Sequence, residues 1–466
     1  MKTFLKTTAL LFLLFLLPLN CKTQEDPGLL WLLNLGNDEI TLSNTATGET
    51  DSNSTGTEEV SGSDGTGNST YITDTAASTS ENDSFIRDVY SIEINDVVGT
   101  TDFIFDTTKT IELSVTVLDT VATLEGTAVR IIEKTDPYNN RVIFQAVTNE
   151  NGSVKGNFTI NTTTDVVYLE VHVNGQVIVS EIKVSEVNSV DRKVLVLVQS
   201  TSKEIVDRDG DGIEDSKDDF PDDPTRATLI KYPSDGTYYT VAFEDLFPKQ
   251  GDADFNDYVV RVRYEEELNA SGKLVNLKGF YQHVAKGAGY NHTFNFRIPL
   301  EAGDASFTLN RLNSQSELLE SIGGDLSQKR DIEILGNSKN TISQSNTSKG
   351  QVFKPGNKAE LSIHFTNPVD KTIFKSIPFD IFLYVINTKY EIHFAGRYLD
   401  ENNKDKYLDP VGFPWAAIIP GDFAWPYECQ NIHNAYEKFY NWYSSSGAND
   451  TDWYKFPDEK YVFPVQ

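Results

Sequence analysis

Cysteine and histidine are scarce in this chain, and each scarcity excludes a class of protein. The 466 residues contain 2 cysteines, too few for a disulfide-rich scaffold, so stability has to come from packed cores and bound ions. None of the 6 histidines forms the i, i+4 helical pair of a zinc peptidase. The Gly-x-Ser-x-Gly sequence of serine hydrolases is also absent. We therefore expect the protein not to be an enzyme.

Basic residues are few relative to acidic ones. The chain has 40 lysines and arginines against 69 aspartates and glutamates, which gives a formal net charge of −29. Such a polyanion is repelled by the phosphate backbones of nucleic acids and by anionic membrane surfaces. The composition excludes nucleic acid as a partner, and attachment to a membrane requires a separate anchor.

No apolar run is long enough to span a bilayer, but a short one near the N-terminus indicates how the protein could be exported and anchored. Lys2 and Lys6 precede the apolar run 8–17, the pattern of a signal peptide over residues 1–20. The cysteine behind this run, Cys21, resembles the acylated cysteine in the lipobox of bacterial lipoproteins. Lys22-Thr23 lacks the aspartate that retains lipoproteins at the inner membrane, so we expect a lipid anchor at the outer membrane and leave exposure at the cell surface open. The alternative is a secreted protein with an incidental cysteine.

The composition divides the chain and predicts a mainly β fold. Residues 21–84 are rich in Ser, Thr, Gly, Asn and acids, and are expected to form a lipidated, disordered acidic tether. Residues 85–200 are predicted to form a β-sandwich, similar to immunoglobulin-like or carboxypeptidase-regulatory modules, because 110–117 alternates apolar and polar side chains and Asn174-Gly175 is a hairpin turn. A calcium loop over 201–228 and a larger β-rich domain over 229–466 follow.

The larger domain is predicted from recurrent strand patterns and one helix. Strands are expected at 238–243, 259–264, 292–298, 359–365 and 381–386. Residues 310–356 are rich in Ser, Asn and Gln, and this composition predicts a long exposed excursion. Apolar residues at helical spacing from Ile432 to Trp442, with Gly447 beyond them, predict a C-terminal helix whose aromatic stripe packs in a core.

The first acidic cluster has the spacing of a calcium loop. Carboxylates recur at loop positions 1, 3, 5, 9 and 12, Gly212 at position 6 permits a sharp turn, and Ile213 at position 7 can offer its carbonyl. The predicted ligands are Asp207, Asp209, Asp211, Ile213, Asp215 and Asp218. The loop resembles a type 3 thrombospondin repeat, and we expect bound calcium to fix the angle between the two β-rich parts. The alternative is a solvated acidic linker.

A second acidic cluster follows on two segments that face each other across a short connection. Acids and an asparagine alternate after Gly251, so their side chains could project from one side of an extended strand. The predicted ligands of this second calcium site are Glu244, Asp245, Asp252, Asp254, Asn256 and Asp257. The alternative is that these acids form the hydrogen bonds of a hairpin turn.

A calcium-repeat loop followed by Phe243-Glu-Asp-Leu and Asp254-Phe-Asn-Asp resembles the LruC domain of bacterial lipoproteins. Three later segments agree with it: Glu391-Ile-His393-Phe-Ala-Gly396, Phe413-Pro-Trp415-Ala-Ala-Ile-Ile-Pro420, and the aromatic tract from Trp425 to Tyr454. The resemblance spans residues 232–454. It implies an exported, envelope-associated β-rich domain, and it supplies no catalytic residue.

Two other functions remain open at the level of sequence. The first is an adhesin whose sandwich or aromatic C-terminal face recognises a protein or glycan ligand. The second is an envelope hydrolase that uses Glu391, His393 or Glu428, since a Glu/His pair can transfer protons and Glu428 lies among aromatic residues that could stack sugars. We expect a non-enzymatic, calcium-binding envelope lipoprotein with a structural or binding role.

Overall fold

The computed structural model describes residues 71–73, 92–94, 97–99, 103–134, 140–173, 176–185, 187–196, 206–287, 289–327 and 329–465. The predicted signal peptide, the predicted lipidation site Cys21 and nearly all of the predicted tether lie outside this part of the chain. So do residues 201–205 at the start of the predicted calcium loop. The described residues are mainly β, with several sheets and three short helices, which confirms the predicted fold class.

Two four-stranded sheets form the N-terminal part. The order in the first sheet is β1 (Tyr71–Thr73), β10 (Ser189–Leu195), β4 (Thr108–Leu118) and β7 (Ser153–Asn161). The order in the second is β6 (Asn140–Val147), β5 (Ala128–Lys134), β8 (Val166–Val173) and β9 (Gln176–Lys183). A separate hairpin joins β2 (Ile92–Ile94) to β3 (Val97–Gly99).

The two N-terminal sheets bury a common core between them. Burial alternates along the whole of β8, so that Val167, Leu169 and Val171 enter the core while their neighbours are half-exposed. Each such side chain contributes about 1.5–3 kcal/mol on burial. Strands β8 and β9 pair up to Val173 opposite Gln176, which leaves a two-residue connection and confirms the predicted hairpin.

The remaining strands form a second pair of sheets. The eight-stranded sheet runs β17 (Leu318–Asp325), β16 (Ala305–Leu312), β19 (Lys358–Val369), β14 (Leu274–Ala285), β13 (Tyr258–Leu268), β12 (Tyr239–Phe243) and β22 (Ala416–Pro420), and β11 (Thr228–Tyr232) also pairs with β13. The four-stranded sheet runs β18 (Asp331–Leu335), β15 (His292–Arg297), β20 (Ile381–Val385) and β21 (Tyr390–Ile392). Their facing sides share one hydrophobic core.

The structure corrects the prediction for residues 310–356. Instead of a long excursion, this segment contains the end of β16, all of β17 and β18, and α1 (Ser338–Thr341). Both faces of β17 are largely exposed, which explains its polar composition. In β18 the buried Ile332 and Ile334 alternate with polar residues, the usual pattern of a half-buried strand.

The predicted C-terminal helix is present as two short helices, α2 (Ile432–Ala435) and α3 (Glu437–Ser444). The chain leaves helical geometry at Tyr436, where φ is −139°. Phe439 and Trp442 of the predicted stripe are buried in an aromatic core with Trp425 and Trp453. The prediction that this stripe packs in a core is confirmed.

The sandwich and the larger part are in direct contact. The backbone amide of Val147 donates to the carbonyl of Ala270 over 2.8 Å, and the hydroxyl of Thr107 donates to the carbonyl of Ile418 over 2.7 Å. Phe105 is buried in the C-terminal aromatic core. These contacts fix the two parts relative to each other independently of the first acidic loop. Within the described residues, no helix has the length and apolarity needed to cross a membrane.

Candidate metal centre

The second acidic cluster lies in the loop that closes a β-hairpin. Strands β12 and β13 pair antiparallel, with Phe243 opposite Tyr258, so Glu244 leaves one strand where Asp257 enters the next. The two ends of the connection between these strands are therefore adjacent. This geometry brings together the two acidic segments that the sequence places on either side of a short loop.

Three of the predicted ligands converge in this connection. One carboxylate oxygen each of Glu244, Asp252 and Asp254 lies within 4.8 Å of the other two. Oxygens at this spacing can contact one Ca²⁺, whose ligand distances are about 2.3–2.6 Å. Glu244 and Asp254 are buried, and Asp252 is half-buried.

The backbone that achieves this convergence is not the extended strand predicted from the alternating acids. Ala253 and Phe255, the residues between them, have φ values of 55° and 49°, in the left-handed region that side chains other than glycine rarely adopt. These two residues bend the chain, so the acidic side chains meet instead of spreading along a strand. The ring of Phe255 is buried and lies 5.7 Å from that of Phe413, which anchors the bend.

Two buried oxygens beside the cluster have no hydrogen-bond partner. Glu244 accepts a hydrogen bond from the amide of Phe255 at Oε1 over 2.6 Å, whereas its Oε2 has none. The amide nitrogen of Asn256 donates to the carbonyl of Pro426 over 3.0 Å, and its Oδ1 also has none. Unsatisfied buried polar atoms are rare because each costs about 1–3 kcal/mol. Both oxygens are suited to bind a cation.

The electrostatics of the cluster also favour a cation. Burial, reinforced by the charge of Asp252, raises the pKa of Glu244 to about 8. Burial and the charge of Glu244 raise the pKa of Asp254 well above its usual value. In the described part of the chain, no lysine or arginine forms a salt bridge with Glu244 or Asp254. A divalent cation would compensate these charges.

Glu428, which the sequence did not indicate as a metal ligand, lies close to Asn256 in the structure. Its Oε2 accepts a hydrogen bond from the hydroxyl of Thr347 over 3.0 Å. A β-carbon built on Gly287 would lie 2.8 Å from this Oε2 and 2.0 Å from the unpartnered Oδ1 of Asn256. Both oxygens therefore lie against the backbone of Gly287. Burial raises the pKa of Glu428, and the charges of Asp252 and Asp245 raise it further. No local pattern could reveal this residue, because it lies far from the acidic loop along the chain.

Asp245 and Asp257, also predicted as ligands, form hydrogen bonds behind the cluster. Oδ2 of Asp257 accepts from the amide of Asp245 over 2.8 Å, and Oδ2 of Asp245 lies 2.9 Å from Nε2 of the buried His292. The structure does not bring these two carboxylates into the group formed by Glu244, Asp252 and Asp254. Their hydrogen bonds instead stabilise the positions where the connection leaves β12 and enters β13.

A small cleft leads to the cluster from outside. It has a volume of about 40 Å³, which is more than one water molecule requires. It is lined by Glu244, Gln250, Gly251, Ala253, Asp409, Phe413, Pro414 and Trp415. Gly251 leaves room here, because a β-carbon at this position would lie 2.0 Å from Oε2 of Glu244. The unpartnered oxygen of Glu244 therefore lies next to the backbone of Gly251, in the lining of this cleft.

The first acidic loop also forms a convergent group. Carboxylate oxygens of Asp207, Asp209 and Asp211 lie within 4.8 Å of one another. Oδ2 of Asp207 accepts from the amide of Gly212 over 3.0 Å, and the φ of 99° at that glycine allows the predicted turn. One oxygen each of Asp209, Asp211 and Asp218 is buried without a partner. Burial raises the pKa of Asp218 to about 6, and the charge of Asp211 contributes.

The other two predicted ligands of this loop have different surroundings. The carboxylate of Asp215 accepts hydrogen bonds from the backbone and side chain of Arg208, over 2.9 and 2.7 Å. The side chain of Ile213 is buried, and its amide donates to Oδ1 of Asp211 over 2.8 Å. Asp215 is thus paired with an arginine, and Ile213 anchors the loop.

Glu391 and His393, the candidates for catalysis, belong to a polar network. The ring nitrogens of His393 lie 2.7 Å from Oδ1 of Asp380 and 3.3 Å from Oε2 of Glu391. Arg297 donates to both oxygens of Glu391 over 3.2 and 3.1 Å, and hydrogen bonds from His393 and Arg297 lower the pKa of Glu391 to about 2. Each of these groups already has a partner, which favours a structural role.

Comparison with known proteins gives limited matches. No curated protein matches the chain at a meaningful level. A crystal structure of a protein assigned as a lipoprotein from Bacteroides ovatus matches with a TM-score of 0.46 and 14% sequence identity, over 72% of this chain and 99% of that one. Residues 272–454, less than half of the chain, match the model of a domain of unknown function, DUF4842.

Proposed function

We propose that this protein is a calcium-binding, non-enzymatic component of the bacterial cell envelope. The single observation that carries the proposal is the buried group of Glu244, Asp252 and Asp254, beside which Oε2 of Glu244 has no hydrogen-bond partner. Keeping these buried carboxylates ionised without a counter-ion costs several kcal/mol. A bound cation removes that cost and makes the connection between β12 and β13 rigid.

Calcium fits this site better than other common metals. Every convergent donor is an oxygen, and neither histidine nor cysteine belongs to the group, which disfavours zinc and copper. Magnesium prefers a regular octahedral shell and keeps several of its waters, whereas calcium accepts irregular shells of six to eight oxygens. Carboxylates from a strongly bent loop form an irregular shell of this kind.

The first acidic loop provides a second calcium site of lower affinity. Its aspartates are only half-buried, and Asp215 is paired with Arg208. We expect a dissociation constant in the extracellular range of ~10⁻⁴ to 10⁻³ M. Binding there would remove the repulsion among Asp207, Asp209 and Asp211.

The assignment to the cell envelope rests on the N-terminal sequence. The signal peptide over 1–20 and the lipobox-like Cys21 support a lipid anchor, most simply in the outer membrane. The resemblance to LruC domains supports the same location. The hydrogen bonds around Glu391 and His393 support a structural role for that network. We propose that the protein as a whole binds or supports other envelope components.

Calorimetric titration of calcium into the full chain in detergent, after removal of metal ions, tests the proposal. We expect two binding events and a higher unfolding temperature, since a ligand at 100 times its dissociation constant stabilises by about 2.7 kcal/mol. Magnesium, titrated in parallel, should bind more weakly. Glu244→Gln should remove the tighter event and leave the weaker one. Absence of calcium binding in the unmodified chain would overturn the proposal.

A further inference from the structure

The C-terminal aromatic segment packs against the acidic loop of the β12–β13 connection. This segment, residues 425–463, contains α2 and α3 and supplies most of the aromatic side chains in the aromatic core. The amide of Cys429 donates to Oδ2 of Asp254 over 2.8 Å, and the amide of Ile432 donates to the carbonyl of Ala253 over 2.8 Å. The bent backbone that gathers the carboxylates is therefore also the surface on which this segment docks.

Side chains extend this contact on both sides. The amide nitrogen of Asn431 donates to the carbonyl of Asp252 over 3.3 Å. Asn256 donates in turn to the carbonyl of Pro426 over 3.0 Å, so its unpartnered Oδ1 points away from that carbonyl. Four residues between 426 and 432 thus contact the acidic loop within one short stretch.

Glu428 lies in the middle of this stretch and brings another negative charge to the loop. Its Oε2 and the Oδ1 of Asn256 both lie within 3 Å of the position that a β-carbon would occupy at Gly287. Asn256 is fully buried, and Glu428 is half-buried. Without a cation, this arrangement places a carboxylate beside a negatively charged cluster and an unsatisfied oxygen.

We propose that Glu428 and the Oδ1 of Asn256 complete the cation site of Glu244, Asp252 and Asp254, so that a divalent cation clamps the C-terminal aromatic segment to the β12–β13 connection. The clamp, which rests on the calcium site proposed above, makes docking of residues 425–463 dependent on the ion. Calcium would then control the exposure of the aromatic core.

Hydrogen exchange combined with calorimetry on the full chain in detergent tests the clamp. The probe is calcium alone, added to metal-free protein or removed with a chelator. The amides of Cys429 and Ile432, which donate to Oδ2 of Asp254 and to the carbonyl of Ala253, report docking. We expect calcium to slow their exchange by about tenfold or more, since even a 1.4 kcal/mol stabilisation of the docked state gives that factor.

The variant Glu428→Gln tests whether Glu428 contributes to calcium binding and to the docking of the segment. The substitution keeps the size of the side chain and removes its charge, so calcium affinity at the tighter site should fall about tenfold or more. The calcium concentration that protects the amides of Cys429 and Ile432 should rise by the same factor. Glu437→Gln, which changes an exposed glutamate at the start of α3, is the matched control and should alter neither quantity.

Thr347→Val gives a second, milder variant in case Glu428→Gln fails to fold. It removes the hydroxyl that orients Glu428, and we expect a loss of affinity of about threefold, a fraction of the effect of removing the ligand charge. If calcium binds the unmodified chain but exchange at Cys429 and Ile432 is the same with and without it, the clamp is refuted and the site stands. The same holds if Glu428→Gln binds calcium normally. If the unmodified chain binds no calcium, the site itself is refuted.

Discussion

The side-chain amide of Asn256 donates to the carbonyl of Pro426 over 3.0 Å, and this bond orients the oxygen of the amide. Because the nitrogen is held by Pro426, Oδ1 must lie on the opposite side of the amide. There it is fully buried and has no partner. One hydrogen bond thus joins two remote segments and presents an oxygen to the candidate cation site.

Gly287 should be sensitive to the addition of a single methyl group. In Gly287→Ala the β-carbon would lie 2.0 Å from Oδ1 of Asn256, so that oxygen has to move. We expect a loss of about 1–3 kcal/mol in the free energy of unfolding and a calcium affinity at least about tenfold lower. Gly289→Ala is the matched control, since a β-carbon there meets nothing within 4 Å. Denaturant unfolding and calorimetry measure both effects, and equal behaviour of the two variants would contradict the geometry described here.

Removing two charges from the first acidic loop should abolish calcium binding there and leave the site at Glu244 intact. Asp209→Asn with Asp211→Asn keeps the side-chain shapes but weakens the attraction for calcium. We expect calorimetry to show only the tighter binding event. In the metal-free protein, stability should rise by about 0.5–1 kcal/mol, because burial and then the charges of Asp209 and Asp207 raise the pKa of Asp211. Asp304→Asn, at an exposed position, serves as the control. Loss of both binding events would show that the sites are not independent.

Glu391 should stabilise the protein at neutral pH and lose this effect in acid. Hydrogen bonds from His393 and Arg297 lower the pKa of Glu391 from its usual 4.5 to about 2. A lowered pKa gives stability that is present above pH 4.5 and is lost as the pH falls towards 2. Because the carboxylate is 38% exposed, we expect Glu391→Gln to cost only about 1 kcal/mol at pH 7.

Thermal unfolding at several pH values measures the contribution of Glu391. The difference between Glu391→Gln and the unmodified chain should vanish near the bottom of that range, provided that both remain folded. Glu360→Gln, which changes an exposed glutamate of β19, should show no such dependence on pH. A difference that stays constant down to pH 2 would exclude the proposed role of the ionised carboxylate.

Phe105 should be important for the contact between the sandwich and the C-terminal core. Its ring centroid lies 5.4 Å from that of Phe413 and 5.6 Å from that of Tyr443, and the side chain is buried. Phe105→Ala should cost about 3–5 kcal/mol through lost burial and the cavity left behind. Its neighbour Ile104 is 44% exposed, so Ile104→Ala should cost less than about 1 kcal/mol. Denaturant unfolding followed by tryptophan fluorescence compares the two, and similar costs would show that the junction depends on other contacts.

Local patterns were sufficient for much of the fold. The turn residues Asn174-Gly175 identified the hairpin of β8 and β9. Alternation of apolar and polar side chains identified β4, because one face of that strand is buried and the other is not. The same rule would have found β18, with Ile332 and Ile334 buried, but the polar composition around it concealed the pattern. Strand β17 carries no such signal, because both of its faces are largely exposed and backbone pairing with β16 defines it.

The sequence by itself determined that the protein is mainly β, that it carries a strong negative charge, and that two acidic segments have the composition of cation sites. These properties depend on residues close together in the chain, where spacing alone places side chains. Only the tertiary structure decided which acids converge: Glu244, Asp252 and Asp254 meet, whereas Asp245 and Asp257 form hydrogen bonds elsewhere. It also placed Glu428 beside them, because the packing of the aromatic core brings a distant segment onto the loop, and no local spacing encodes that contact.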